Sequence, residues 1–381
     1  MQDTLPFQLS NQRLQEFAQE IESLGSEIHS RGGSSDIEHL QRVERWGRIS
    51  TFVGFILSWI PNPISILALA LGRSTRWMIY HHISHGAYEQ LHDLPTRYRK
   101  SVFAQGWRRY VDWLGWVDPD GWDFEHNVLH HGFTGQDKDP DLHERNAEGI
   151  RNSAYPKWFR YLIVCYHLVV GNPKTIARRV RRTLEREESK RMGVPLTRWR
   201  VAVATLRRAY LPHILFFYVL YPMPFLLVSK EAAVAMLFNS ALADVVVHIH
   251  MFVVLGANHT ANDLYRFDAR PGSRGEYFVQ QILGTSNYSS RNDFQHWVLL
   301  WLNFQIEHHL WPRMTMHGLK QAQPKVRELC SAYGIPYIEE SIWTRFGKMT
   351  EVLVGAASMK VFSGEPITTA EQSARVVKSE A

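Results

Sequence analysis

The sequence predicts an all-α integral membrane protein in which two transmembrane helical hairpins carry a cytosolic helical cap that holds a di-metal site. Three observations predict it. Uncharged apolar runs occur at 51–72, 209–229 and, with few polar interruptions, 232–256, and a helical span needs about 20 such residues. Nearly all of the 43 Lys+Arg and 37 Asp+Glu fall between those runs, so the mean hydropathy of -0.26 averages over two kinds of sequence. Just beyond apolar stretches lie three histidine clusters, His81-His82-Ile-Ser-His85, His126-Asn-Val-Leu-His130-His131 and Gln305-Ile-Glu-His308-His309.

Residues 1–46 are polar, with Glu20, Glu22, Glu27 and a Gly-Gly-Ser-Ser run at 32–35, and lack the basic-then-apolar order of a signal peptide. They are expected to stay on the cytoplasmic side. The run 51–72 is broken by Pro61-Asn62-Pro63, which reads as a turn, giving spans near 48–60 and 63–80. The second of these runs on into the first histidine cluster and places His81 and His85 on one face.

Residues 86–208 form a hydrophilic centre. Within it, Trp158 to Val170 is too short to span and rich in aromatics, so it reads either as a helix lying in the membrane interface or as a buried helix of the cytosolic part. The following basic run includes Lys174, Arg178, Arg179, Arg181, Arg182, Arg186, Lys190 and Arg191, mixed with Glu185, Glu187 and Glu188. Positive charge beside spans marks the cytoplasmic face. The runs 209–229 and 232–256, joined by Lys230-Glu231, form the second hairpin, with Asp244, His248 and His250 inside it. Counting crossings puts every histidine cluster, the N-terminus and the C-terminus on one side, as a single centre requires. The membrane domain is expected over 47–340, followed by a polar tail at 341–381.

Cys165 and Cys330 are too few for a thiolate site or a disulfide framework. Imidazole suits iron, zinc and copper, and residues three or four apart share a helix face. On a regular helix His126, His130 and His131 stand at about 0°, 40° and 140°. His81, His85, His126, His130, His131, His308 and His309 exceed what one four-coordinate zinc uses, which points to two ions. Asp137, Asp139 and Asp141 suit the orienting of ligand imidazoles, with an exposed acidic turn as the alternative, and His296 reads as structural. His248 and His250 lie too deep for the centre and read as lining a channel or tying helices together, with Asp244 one turn from His248.

The order H-x3-H, H-x3-H-H, Q-x2-H-H around two hairpins resembles the membrane fatty acid desaturases. HNVLHHGFTGQDKDPD is similar to that family's second box, and NFQIEHHLWPRMTMHGLK and VRELCSAYGIPY are similar to the third box and tail of its front-end subgroup, in which Gln305 takes the place of a histidine. The resemblance covers approximately residues 48 to 340. It implies two iron ions, dioxygen as co-substrate, a fatty acyl substrate carried by a lipid, coenzyme A or a carrier protein, and removal of two hydrogens from neighbouring carbons. It also implies that Gln305 and, through Gly-Ala-Asn258-His259, His259 complete the ligand set, and that no residue beyond the metal ligands is catalytic. His82 is an added imidazole relative to the family's first box and reads as a partner for a ligand. The haem-binding His-Pro-Gly-Gly of a fused cytochrome b5 domain does not occur here, so electrons are expected from a separate donor of ferredoxin or cytochrome b5 type, which the basic run would steer. A hydroxylase on the same scaffold, a membrane zinc hydrolase and a non-enzymatic metal store remain the alternatives. The charge excess of +6 is too small for a nucleic-acid partner.

Overall fold

A computed structural model of the chain describes residues 9–112, 115–171, 173–188 and 196–362. The end of the polar tail, 363–381, and Lys190 and Arg191 of the basic run lie outside the described residues. The chain is mostly helical and divides into two compact units, one drawn from Met1–Asp36, Leu129–Tyr161 and Val253–Ala381, the other from Ile37–Val128 and Leu162–Phe252.

In the second unit the helices Ser34–Ile56 and Pro63–Ser84 meet at the proline turn read from the sequence. Asn62 caps the second helix, its Oδ1 accepting from Ser65 N–H at 2.8 Å, and Pro63 occupies the first helical position, where no amide donor is needed. The two helices pack closely because glycines line their seam: a Cβ on Gly72 would stand 2.1 Å from Thr51 Oγ1. Helix Lys230–Gly256 secures the turn, with Asn239 accepting from Asn62 N–H at 3.0 Å and donating to Ile60 O at 2.9 Å. Leu69, Ala70, Phe225, Ala232, Met236 and Ala243 form the core between these helices.

Among the described residues two helices are long and apolar enough to cross a membrane, Arg198–Leu227 and Lys230–Gly256. The stretch expected at 209–229 therefore begins at Arg198, and it contains π-helical turns at Leu206–Tyr210 and Leu215–Leu220 on either side of Pro212. The stretches expected at 48–60 and 63–80 are helical but do not meet that test: Pro63–Ser84 contains Arg73 and Arg76, and Ser34–Ile56 is polar over its first half. Arg73 is neutralised by Asp244, whose other oxygen takes His213 Nε2 at 2.6 Å and the Tyr218 hydroxyl. Asp244 thus serves Arg73 and His213 rather than His248. His250 Nδ1 lies 3.1 Å from Ser74 Oγ, a tie between two helices. The helix Lys157–Val170 buries Val164 and exposes Trp158, Leu162, Tyr166 and Val169, so it is not the buried helix of the second alternative.

The first unit takes in both the polar N-terminal segment and much of the chain after the third histidine cluster. Helix Asn11–Ser30 presents Leu14, Phe17, Ile21, Leu24 and Ile28 at helical spacing, all buried, and Phe17 meets Tyr333 of helix Met316–Tyr333 at 5.1 Å. Near the other end, helix Ile342–Leu353 buries Arg345, Met349 and Val352. Two short parallel strand pairs interrupt the helical architecture, Tyr265–Phe267 with Lys360–Phe362 and Asn287–Tyr288 with Glu339–Glu340.

Gly275 opens helix Arg274–Leu283 where a Cβ would come within 2.4 Å of the Leu14 carbonyl oxygen. Gly275→Ala is expected to cost about 1–3 kcal/mol of stability by overpacking, while Gly33→Ala, in open space, leaves the thermal midpoint unchanged. Burial pushes the Asp263 carboxyl up, but the Arg345 and Lys348 cations beside it outweigh burial and hold it below its usual value. A carboxylate lowered in the folded state stabilises above its unfolded pKa and ceases to as pH falls through the folded one. The midpoint gap between the parent and Asp263→Asn should therefore be full at pH 7 and shrink below about pH 4.

Candidate metal centre

Each unit holds its own set of histidines. The second box begins as a π-helix, Phe124–His130, and continues as a short α-turn from His131. π-Turns recur at functional sites. Here the winding departs from the 3.6-residue period assumed from sequence, and the box is shared, His126 counting with the second unit and His130 and His131 with the first.

In the second unit His81, at the end of helix Pro63–Ser84, and His126 bring their Nε2 atoms to 2.9 Å, and His85 joins them so that one nitrogen of each lies within 4.8 Å of the others. All three are buried. His82 is also fully buried, its ring centre 4.9 Å from that of His81, but it is outside this set. Indole rings brace the pair: Trp77 stacks on His81 at 5.2 Å and Trp122 on His126 at 4.4 Å. Each tryptophan precedes its histidine by four residues, one helical turn in an α-helix, a spacing readable in the sequence and overlooked there.

In the first unit His130, His259 and His309 form a second set, again with one nitrogen each within 4.8 Å. His131 packs beside His308 and His309, with ring centres 4.8 and 4.4 Å away. The outer nitrogens decide what the inner ones do. His130 Nδ1 lies 2.9 Å from Asp139 Oδ1, and a carboxylate only accepts, so that nitrogen carries the proton. His309 Nδ1 lies 2.9 Å from Gln281 Oε1 and 3.2 Å from Thr134 Oγ1, whose hydroxyl donates to His130 O, so it carries one too. The two Nε2 atoms are then lone-pair acceptors, and they face each other at 3.2 Å. A cation resolves that opposition. Nearby, Gln305 Nε2 lies 2.9 Å from His259 Nε2, while Gln305 Oε1 and His259 Nδ1 are buried without a hydrogen-bond partner. The donor set fits a metal in its chemistry, its burial and its unused acceptors.

The electrostatics agree. Burial, reinforced by neighbouring imidazoles, holds His131, His259 and His309 well below the usual histidine value, so these rings stay neutral at neutral pH. Burial also presses on His130, but the Asp139 carboxylate beside it prevails and raises it. Asp139 is buried and fixed by Gly135 and Asp141 amides, Asp141 reaches within 3.7 Å of His130, and Asp137 is exposed. The alternative of an exposed acidic turn therefore holds for Asp137 alone. His296 is structural as read, bonded with Ser290 and Asn303.

Sequence reasoning missed Gln281, about a hundred and fifty residues from the second box and in no recognisable motif, and Glu307. Glu307 is buried between two site residues, its oxygens receiving the Tyr337 hydroxyl at 2.7 Å and Asn287 Nδ2 at 2.8 Å, and burial pushes its carboxyl up to about 7. Asn287 Oδ1 also accepts from Ile306 N–H at 2.9 Å, so strand Asn287–Tyr288 orients the helix that bears His308 and His309.

A family model described as fatty acid desaturase matches residues 57–341. The chain belongs to the fatty acid desaturase family. The human protein named fatty acid desaturase 3 is 24% identical over 295 residues, 73% of this chain and 58% of that protein. The acyl-lipid (8-3)-desaturase of Mortierella alpina is 20% identical over 345 residues, 84% of this chain and 73% of that protein. The delta(8)-fatty-acid desaturase 2 of Arabidopsis thaliana is 38% identical over 86 residues, 23% of this chain and only 18% of its relative. Several such matches are therefore local, spanning less than a quarter of either protein.

Asp139→Ala and Gln281→Leu are each expected to weaken metal binding about 10–100-fold, the usual effect of losing a partner that orients a ligand. Asp137→Ala should leave it unchanged, with metal content after dialysis against a graded chelator as the measurement.

Proposed function

We propose that this member of the desaturase family is an O2-dependent membrane enzyme of the front-end type that introduces a double bond into a fatty acyl chain. The reading is carried by one observation: two buried imidazoles whose outer nitrogens are committed elsewhere turn their lone pairs on each other at 3.2 Å. Its ligands are His81, His85, His126, His130, His131, His259, Gln305, His308 and His309, serving two iron ions. When bound, iron supplies the oxidising power toward dioxygen and an unactivated methylene that no side chain has.

The chain's own groups hold and orient. Asp139 and Gln281 fix the tautomers of His130 and His309, and Asn287, Glu307 and Tyr337 clamp the third box. Trp77 and Trp122 keep His81 and His126 dry. Electrons come from a separate carrier, and the substrate is an acyl chain on a lipid or thioester. The N-terminus, histidine clusters and C-terminus lie on the cytoplasmic face, with the two hairpins in the membrane. The names of the human and Mortierella relatives support the reaction class.

Expression in a host lacking the activity should yield a new unsaturated acyl chain that is absent with His130→Ala, read by lipid profiling. The purified protein should contain iron. Zinc alone, with activity surviving without oxygen or reductant, would overturn the reading.

A further inference from the structure

A buried centre fed by an external donor needs a route inward, and the second unit contains a continuous one. A cleft is lined by Tyr80, Ser84, Lys100, Phe103, Asp120 and Asp123, among others. It reaches the surface, since Lys100 and neighbouring Gln105 are exposed, and Trp107 beside them is 70% exposed. From the wall of the cleft inward, Phe103 lies 6.4 Å from Tyr80, Tyr80 5.7 Å from Trp122, and Trp122 4.4 Å from His126 and 5.4 Å from His81, all between ring centres. Every step is within the ordinary contact range of aromatic pairs.

Phe103, Tyr80 and Trp122 are all at least nine-tenths buried, so no step passes through solvent. The Tyr80 hydroxyl is held by Pro119 O at 3.0 Å, which fixes its ring against the indole. Trp122 is the hub, meeting both imidazoles of the Nε2 pair as well as Trp77 at 5.8 Å. Packing alone would be served by any apolar side chain. Indole and phenol are the side chains whose π electrons couple most readily to a neighbouring redox group, and here they stand in line between the surface and two ligand rings.

We infer that the cleft bounded by Lys100 and Phe103 is where a one-electron carrier protein delivers electrons, and that Tyr80 and Trp122 conduct them to the metal held by His81 and His126. The inference rests on the proposed function. Each transfer oxidises the carrier by one electron and reduces the centre by one. Two transfers, with two protons from solvent, balance the reduction of one O2 and the removal of two hydrogens to two waters and one double bond.

The test uses the full-length iron-loaded protein and a reduced [2Fe–2S] ferredoxin, mixed without oxygen, with the rate of iron reduction followed by absorbance. Trp122→Phe keeps a ring in place and Tyr80→Leu removes one. Tyr80→Leu should retain the parent's iron content while reducing severalfold more slowly, Trp122→Phe should reduce severalfold more slowly per iron bound, and Trp343→Phe, at an exposed indole remote in sequence, should reduce at the parent rate. If Trp122→Phe and Tyr80→Leu both hold iron and reduce as fast as the parent, the route is wrong. Should either variant lose iron, Phe103→Leu, which touches no histidine ring, takes its place under the same two outcomes. A parent chain that binds no iron and makes no unsaturated product would instead defeat the functional reading on which this one stands.

Discussion

An imidazole carries two nitrogens, and in a dry interior each must be accounted for. That constraint organises the first unit. With Nδ1 of His130 donating to Asp139 and Nδ1 of His309 donating to Gln281, the inner nitrogens of two neutral imidazoles have no proton to share, and their close approach suits a bound cation. Burial then works with the metal rather than against it. Imidazoles that resist protonation in a low-dielectric site are ligands already in the form that binds.

Neutrality also explains why the surroundings are polar in one direction only. Toward the set stand lone pairs. Away from it stand Asp139, Gln281, Thr134 and, for the third box, Asn287 and Glu307. The strand Asn287–Tyr288 lies beside Glu339–Glu340, and through Asn287 it reaches both the amide of Ile306 and the Glu307 carboxyl. Two residues of sheet thereby fix the start of a six-residue helix too short to be stable alone. The helical signal in the box told of the histidines, and their placement came from a strand.

The sequence was legible where chemistry is local. Pro61-Asn62-Pro63 announced its turn because a capping side chain and a helix-starting proline act on adjacent residues. The histidine spacings announced a candidate metal site because residues three or four apart are neighbours on one helical face. It was less legible where the partner is distant or the winding irregular. Gln281 acquires its role only when the chain has folded, and the π-helix of Phe124–His130 leaves no mark in the residue pattern. The polarity of residues 11–30 concealed an amphipathic helix, since composition averages over faces that packing separates. Asp139 is buried beside His130 while Asp137 is exposed, a difference the sequence left open because it does not say which side of a turn is buried.

The apolar helices carry the same lesson in charge. Arg73 counts against a membrane span when hydropathy is summed along one helix, yet it does not stand alone: Asp244, Ser240 and the face of Phe217 receive it, and Asp244 is met by His213 and Tyr218 as well. A buried ion pair supported by further hydrogen bonds offsets part of the desolvation cost that a lone charge would bear, and removing one member of such a pair typically costs about 3–5 kcal/mol. Hydropathy is a property of a segment and solvation a property of a neighbourhood. Arg73 therefore reads as a polar interruption in the sequence and as a fastening in the fold. It sits two helical turns before His81 and joins the histidine-bearing helix to Lys230–Gly256, so the residue that weakens the case for a span also holds the first histidine cluster in register.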